Sequence, residues 1–314
     1  MALAETQLDG AQSDLRMGWH EWLMLCLCAM LWGSAYVFIA IAIKELPHLT
    51  ITLMRLVIAA TFLQVVLRMS GHALPRGWPI WSSFFVMTML SNVGPYLLVL
   101  QGQMGTTSGL AAVLTATTPL FTILLAHAFT HDERLTANKL IGVIVGILGV
   151  AIVVGFDAWA GASASMVAKL FLIAASLLYA IGSIYAKRFS KLPPLVIATG
   201  IMTSGALLSL PLSLYFDRPW TLPMPSTEVW LAVLCTGIFG SALAAISYFR
   251  LFAVSGASNA MLVTLLLPVT PVVGGALYLG ERLALREVIG AAVIMFALVI
   301  IDGRVFRWRQ ANHA

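Results

Sequence analysis

The sequence predicts an all-α integral membrane protein, with ten transmembrane helices arranged as two inverted repeats of five. Three observations predict it. Hydrophobic residues fill 60% of the 314 positions and charged residues 10%, against roughly 25% charged in a soluble domain. Apolar runs of roughly 18–25 residues follow one another, each long enough to cross a hydrocarbon core about 30 Å thick. The stretch THDERLTANKLIG at 130–142 returns as YLGERLALREVIG at 278–290, with Glu133/Glu281, Arg134/Arg282, Leu135/Leu283, Ile141/Ile289 and Gly142/Gly290 identical at an offset of 148.

Residues 1–19 are polar and mixed in charge (Glu5, Asp9, Asp14, Arg16) and lack the basic start and cleavage site of a signal peptide, so they read as a cytoplasmic tail. A first unit, 20–156, holds spans at about 20–43, 49–69, 79–101, 106–129 and 138–156. A second, 157–303, holds spans at about 166–187, 193–215, 227–250, 257–279 and 285–303, and 304–314 is a second cytoplasmic tail. The connections are short and carry Pro or Gly, as in KELPHLT, MSGHALPRG, SKLPP and DRPWTLPMPST. Cys26, Cys28 and Cys235 lie in apolar runs and read as buried, reduced thiols. Residues two apart do not share a helix face, so Cys26 and Cys28 make a poor metal pair, and no cofactor is expected.

Orientation follows from Lys and Arg. With the N-terminus in the cytoplasm, twelve of the 18 basic residues fall inside, five (Lys44, Lys169, Arg218, Arg282, Arg286) fall outside, and Arg55 lies within a span. The repeat extends upstream at an offset of 149, where Gly33, Ser34, Tyr36, Thr115 and Pro119 match Gly182, Ser183, Tyr185, Thr264 and Pro268. Five spans is an odd number, so the second unit enters the membrane upside down. Inverted units of this kind are a transporter architecture, with the substrate between them near the midplane.

All thirteen acidic residues fall in tails, loops or span ends, so a mid-membrane carboxylate of the kind used by many proton- and cation-driven carriers is missing. Arg55 sits about six residues in from the end of span two, where it could snorkel, bond backbone carbonyls or meet a substrate carboxylate. Each Glu-Arg pair precedes a helix, whose N-terminus favours the acid. Pro119 and Pro268 are expected kinks or pivots, and GVIVGILG (Gly142, Gly146, Gly149) reads as a close-packing face. Trp32 and Tyr36, Asn92 and Tyr96, and Tyr179 and Ser183 are each four apart and share a helix face. With Gln101 and Tyr248 they form the expected substrate-binding set, rings mixed with uncharged polar groups.

The chain resembles a known family. LWGSAYVFIAIAIKELPHLTITLMRLVIAA looks like the start of an EamA domain, and GLAAVLTATTPLFTILLAHAFTHDERLTANKLIGVIVGILGVAIVV looks like its end. The second half repeats both but reads VIATGIMTSGALL where the first has the span-two Arg, and Pro-Pro where the first has one Pro. The resemblance, over about 20–303, is to ten-span, two-domain members of the drug/metabolite transporter superfamily. It implies a bacterial inner-membrane exporter of amino acids or related metabolites, with a central cavity lined by spans one, three, four, six, eight and nine.

The expected function is alternating-access export of a small molecule, aromatic amino acids first, by a monomer in the lipid bilayer with both termini cytoplasmic. Nucleosides, sugars and drugs are the alternative cargoes. The chain has no His-Glu-x-x-His run, no pair of membrane aspartates and no P-loop, so it does not read as an intramembrane protease or an ATP-driven pump. A sensor would carry an output domain larger than the short C-terminal tail. The positive charge sits in loops rather than in a patch with aromatics, so no nucleic-acid partner is expected.

Overall fold

The computed structural model describes residues 18–129, 136–154, 164–189, 191–248, 250–251, 254 and 262–302. Residues 1–17 of the expected N-terminal tail, the whole of the C-terminal one and the THDERL motif lie outside them, while Trp19, placed in the tail, opens the first helix. The described residues form α1 (Trp19–Ala42), α2 (His48–Met69), α3 (Trp78–Gln103), α4 (Ser108–Phe129), α5 (Ala137–Val154), α6 (Ala164–Tyr185), α7 (Pro194–Leu212), α8 (Thr227–Tyr248), α9 (Val263–Tyr278) and α10 (Leu285–Asp302). The first eight are long and apolar enough to cross a bilayer; α9 is shorter, and α10 carries Arg286, Glu287 and Asp302.

Local chemistry sets the boundaries. Pro47 and Pro193 stand at the N-caps of α2 and α7 in extended conformation, which proline's fixed φ favours. Thr107 and Ser226 cap α4 and α8, their side chains accepting from Leu110 N and Val229 N. After α2 and α9 the chain turns through Gly71 (φ 70°) and Gly280 (φ 65°), in the region where a Cβ is costly.

Two helices break where proline predicts it. The first part of α4 ends at Thr115 and the second begins at Thr118, with Pro119 in its first turn. In α9 the break is at Leu267 and Pro268. Hydropathy does not announce three other distortions: α7 runs out into a π-helical turn, Ser213–Asp217, that has no counterpart in α2, and two helices distort within the span. Met89–Val93 in α3 and Ile238–Leu243 in α8 are π-helical, widened by one residue per turn. They sit at the repeat offset, since 89 + 149 = 238. Such widened turns cluster at functional sites.

Helix pairing has two-fold exchange symmetry. Helices α1 and α8 pack together, as do their counterparts α6 and α3; α1 meets α9 as α6 meets α4; α2 meets α7 and α5 meets α10. The crossing of α5 and α10 shows it residue by residue. A Cβ on Gly142 would fall 2.5 Å from Ile301 Cγ1 and 2.9 Å from the Ala297 carbonyl oxygen. A Cβ on Gly290 would fall 2.5 Å from Val153 Cγ2 and 2.9 Å from the Gly149 carbonyl oxygen. These are the same contacts moved by 148 residues. The small residues let the two backbones touch, as the glycine spacing predicts. Successive spans alternate direction, so equivalent helices of two five-span units run oppositely and the axis relating them lies in the membrane plane.

The cysteine expectation needs correcting. Cys28 is buried, but Cys26 is exposed and Cys235 half-buried. An apolar helix surface turned toward lipid is as hydrophobic as one turned inward, so apolar surroundings in sequence do not imply burial.

Candidate functional site

Where α2, α3 and α8 meet, the Arg55 side chain is 6% exposed. Its position eight residues into α2 points it inward, so it does not snorkel. One terminal nitrogen donates to Ser241 Oγ at 2.9 Å and the other to the Asn92 carbonyl at 3.3 Å. Its guanidinium carbon lies 3.8 Å from the centroid of the Tyr96 ring, a cation–π contact. Its Nε has no partner, and neither has the buried Tyr96 hydroxyl. Asn92 and Ser241 are repeat equivalents (92 + 149 = 241), and each lies in its helix's π-helical turn. The arginine therefore joins the two halves at corresponding points.

A second polar layer lies against the first. The hydroxyls of Tyr36 and Thr115 share a hydrogen bond, and Gln103 Nε2 donates to the Tyr36 carbonyl at 2.9 Å while its Oε1 stays unpartnered. Tyr179 is half-buried on α6, within electrostatic reach of Arg55, Tyr96 and Tyr36.

Of the expected binding residues, Tyr36, Asn92, Tyr96 and Tyr179 gather at this centre. Trp32 and Tyr248 form a separate pair, ring centroids 5.0 Å apart, packed with Leu25, Cys28, Leu251 and Val263. Ser183 is exposed on α6; its hydroxyl bonds the Ala180 carbonyl at 2.7 Å and reaches Thr122 Oγ1 at 3.4 Å. Gln101 is exposed and stands apart, while Gln103 faces inward. Helical spacing could have found that difference, because Gln103 is seven residues from Tyr96 and shares its face. Pro119 and Pro268 are both buried at their kinks.

Residues 20–155 and 166–302 each match the model of the EamA-like transporter family. The chain belongs to that family. It is 27% identical over 272 residues to the inner membrane transporter YedA of Escherichia coli K12, covering 87% of each chain. To a probable amino-acid metabolite efflux pump of the same strain it is 24% identical over 318 residues, covering 94% of this chain and 98% of the pump. One protein known from a crystal structure shares the fold, with a TM-score of 0.65 at 18% identity over 90% of this chain and 96% of that one. This EamA chain is thus a membrane transporter of two repeated five-helix units.

The two EamA units are also fastened to each other, at the end that holds the α1–α2, α3–α4, α7–α8 and α9–α10 connections. Both Glu281 oxygens accept from Ser108 N (3.0 and 2.9 Å), and Oε2 accepts from Ser108 Oγ at 2.6 Å. Asp217 Oδ2 accepts from Thr50 N at 2.7 Å and Thr50 Oγ1 at 2.8 Å. Glu45 Oε2 accepts from Ser226 N at 2.7 Å, and this bond holds its carboxyl below the ordinary carboxylate range. In each case a carboxylate of one unit satisfies free N–H groups at a helix N-terminus of the other. The sequence suggested instead that the Glu-Arg acid serves the helix it precedes. That task falls to Glu287, which accepts from Ala284 N at 2.9 Å and lies 3.8 Å from the buried Lys169 Nζ.

Proposed function

We propose that this transporter exports amino acids, aromatic ones first, or related small metabolites across the bacterial inner membrane by alternating access. The solute sits at the polar centre between the inverted units, with Tyr36, Asn92, Tyr96 and Tyr179 around it. Trp32 and Tyr248 flank its path toward the other end of α1 and α8. The observation that carries this reading is the joining of the two π-helical turns, one from each unit, at a buried centre while one end of the molecule is clasped. A carrier needs an unsaturated polar centre and a closed end that can be released. A symmetric exchange of closed ends, pivoting at Pro119 and Pro268, would carry the centre from one side to the other. The excess of Lys and Arg in the opposite connections supports a cytoplasmic location for that end and for both termini, so the clasped end faces outward. A carrier waiting with its outer end closed takes its cargo from the cytoplasm, as an exporter does.

Counterflow in proteoliposomes tests this. Vesicles are loaded with unlabelled amino acids, and labelled Phe, Met and Thr are followed at equal pH on both sides. Saturable uptake, strongest for Phe and reduced at least about tenfold by Tyr96→Ala, is expected. Failure of all three with folded protein would remove amino acids as the cargo.

A further inference from the structure

We infer that Arg55 is the specificity-determining cation of the site and binds a carboxylate of the transported solute. The inference rests on the transport reading above and narrows its substrate class to small solutes with one free carboxylate.

The argument begins with unmet bonding. A guanidinium offers five N–H donors and remains charged at any physiological pH. The Arg55 contacts use one donor on each terminal nitrogen and leave Nε unpartnered. Among the described residues no carboxylate pairs with it, unlike Lys169, which has Glu287. Both acceptors it uses are neutral, a hydroxyl and a carbonyl. A buried charge is ordinarily paired with an opposite one, so this arginine is held in place without being neutralised. A planar carboxylate matches its fork through two parallel bonds, and the orphan Tyr96 hydroxyl is beside it to donate a third.

The neighbours explain why the partner would be a mobile solute. The arginine is tethered to Ser241 on α8 and to Asn92 on α3, at equivalent turns of the two units. Three of its five N–H donors are not used by those tethers, so a carboxylate can bind while the arginine stays held between the units. The Asn92 carbonyl has a second lone pair beside it, which can accept from an ammonium or amide N–H of the same solute. Position 204 in the second unit, equivalent to 55 at the 149 offset, is Ser204, and its hydroxyl bonds the Phe84 carbonyl at 3.1 Å. Only one of the two equivalent positions carries a cation, which suits a solute with one carboxylate.

The test uses matched ligand pairs with the purified full chain: phenylalanine with phenylalaninamide, and phenylacetate with phenylacetamide. Binding is read by competition against the tightest-binding member and by thermal shift. The wild type is expected to prefer the acid over the amide in at least one pair by about 10- to 100-fold, the range of a charge-assisted bond. Arg55→Gln should abolish that preference while still binding the amide, and Arg55→Lys should restore part of it. If Arg55→Gln does not fold, the wild-type pairs alone decide, because equal binding of acid and amide overturns the inference. So does an acid preference that survives in folded Arg55→Gln, and so does binding of no acid in either pair. A preference confined to phenylacetate would support Arg55 as the carboxylate site and reject amino acids as the cargo. Phenylalanine and its amide bound equally, with phenylacetate also no better than phenylacetamide, would keep an amino-acid-like cargo and reject Arg55.

Discussion

Arg55 and Ser204 hold equivalent places in the two five-helix units and do different things. Both reach across the seam, Arg55 to Ser241 of the second unit and Ser204 to the Phe84 carbonyl of the first, but only Arg55 carries a buried charge. The same divergence runs along the clasped end. Asp217 and Glu45 fasten one unit to the other, whereas their repeat equivalents at the opposite end are Arg68 and Pro194. Only Glu281 has an acidic equivalent, Glu133, which lies outside the described residues. Several backbone features, by contrast, are duplicated, including the π-helical turns of α3 and α8, the proline kinks and the glycine crossing, although the π-helical turn at Ser213–Asp217 is not. On the alternating-access reading proposed above, the duplicated backbone supplies two arrangements related by the two-fold exchange, and side chains that differ between the units decide which is preferred and what is bound.

The largest effects are expected where the two units are equal. Gly142→Val and Gly290→Val each push a branched side chain into backbone at the α5–α10 crossing and should each cost about 1–3 kcal/mol or more. Thermal unfolding in detergent measures both. Similar losses would support the exchange symmetry, and a tolerated Gly290→Val would break it. Smaller effects are expected where the units differ. Glu281→Gln removes the charge that holds Ser108, so a cysteine placed at Thr106 in a cysteine-free background should be labelled several-fold faster by an impermeant maleimide. Asp217→Asn should act in the same direction. Unchanged labelling with transport intact would show the clasp to be static.

The smallest effect concerns pH. The Glu45 carboxyl is held below its ordinary value, so its contribution is fully present above the unfolded carboxylate value of about 4.3 and is lost as pH falls through the lowered folded value. The residue is exposed, so the effect is slight. Glu45→Gln should lower the melting temperature by a small, constant amount near neutral pH, and the difference should shrink on the acid flank. A difference that grows on acidification would reverse the assignment.

Much of this was legible in the sequence because membrane burial writes itself as length and composition. Ten apolar runs gave ten helices among the described residues, and the offset of 148–149 gave the exchange symmetry. Rotation about each helix axis was not legible. Helix α2 is apolar nearly all round, so nothing in its pattern said whether Arg55 faced lipid or protein. Gln101 and Gln103 sit two residues apart at the same helix end, and only their spacing from Tyr96 separates the exposed one from the buried one. The π-helical turns left no mark in hydropathy because an extra residue per turn changes register without changing composition. The clasps were hidden for another reason: Glu281 and Ser108 are 173 residues apart, and a carboxylate near a helix start reads first as serving its own helix.

That arrangement of the clasps has a consequence for water. When Glu281, Asp217 and Glu45 let go, the first N–H groups of α4, α2 and α8 lose their acceptors together. At Thr50 and Ser108, both buried, they would be left unsatisfied in a dry seam, which a membrane protein tolerates poorly, whereas Ser226 is already exposed. Separation of the two units at that end and hydration of the two buried helix starts are therefore one event. On the alternating-access reading proposed above, that end opens only as fast as it wets.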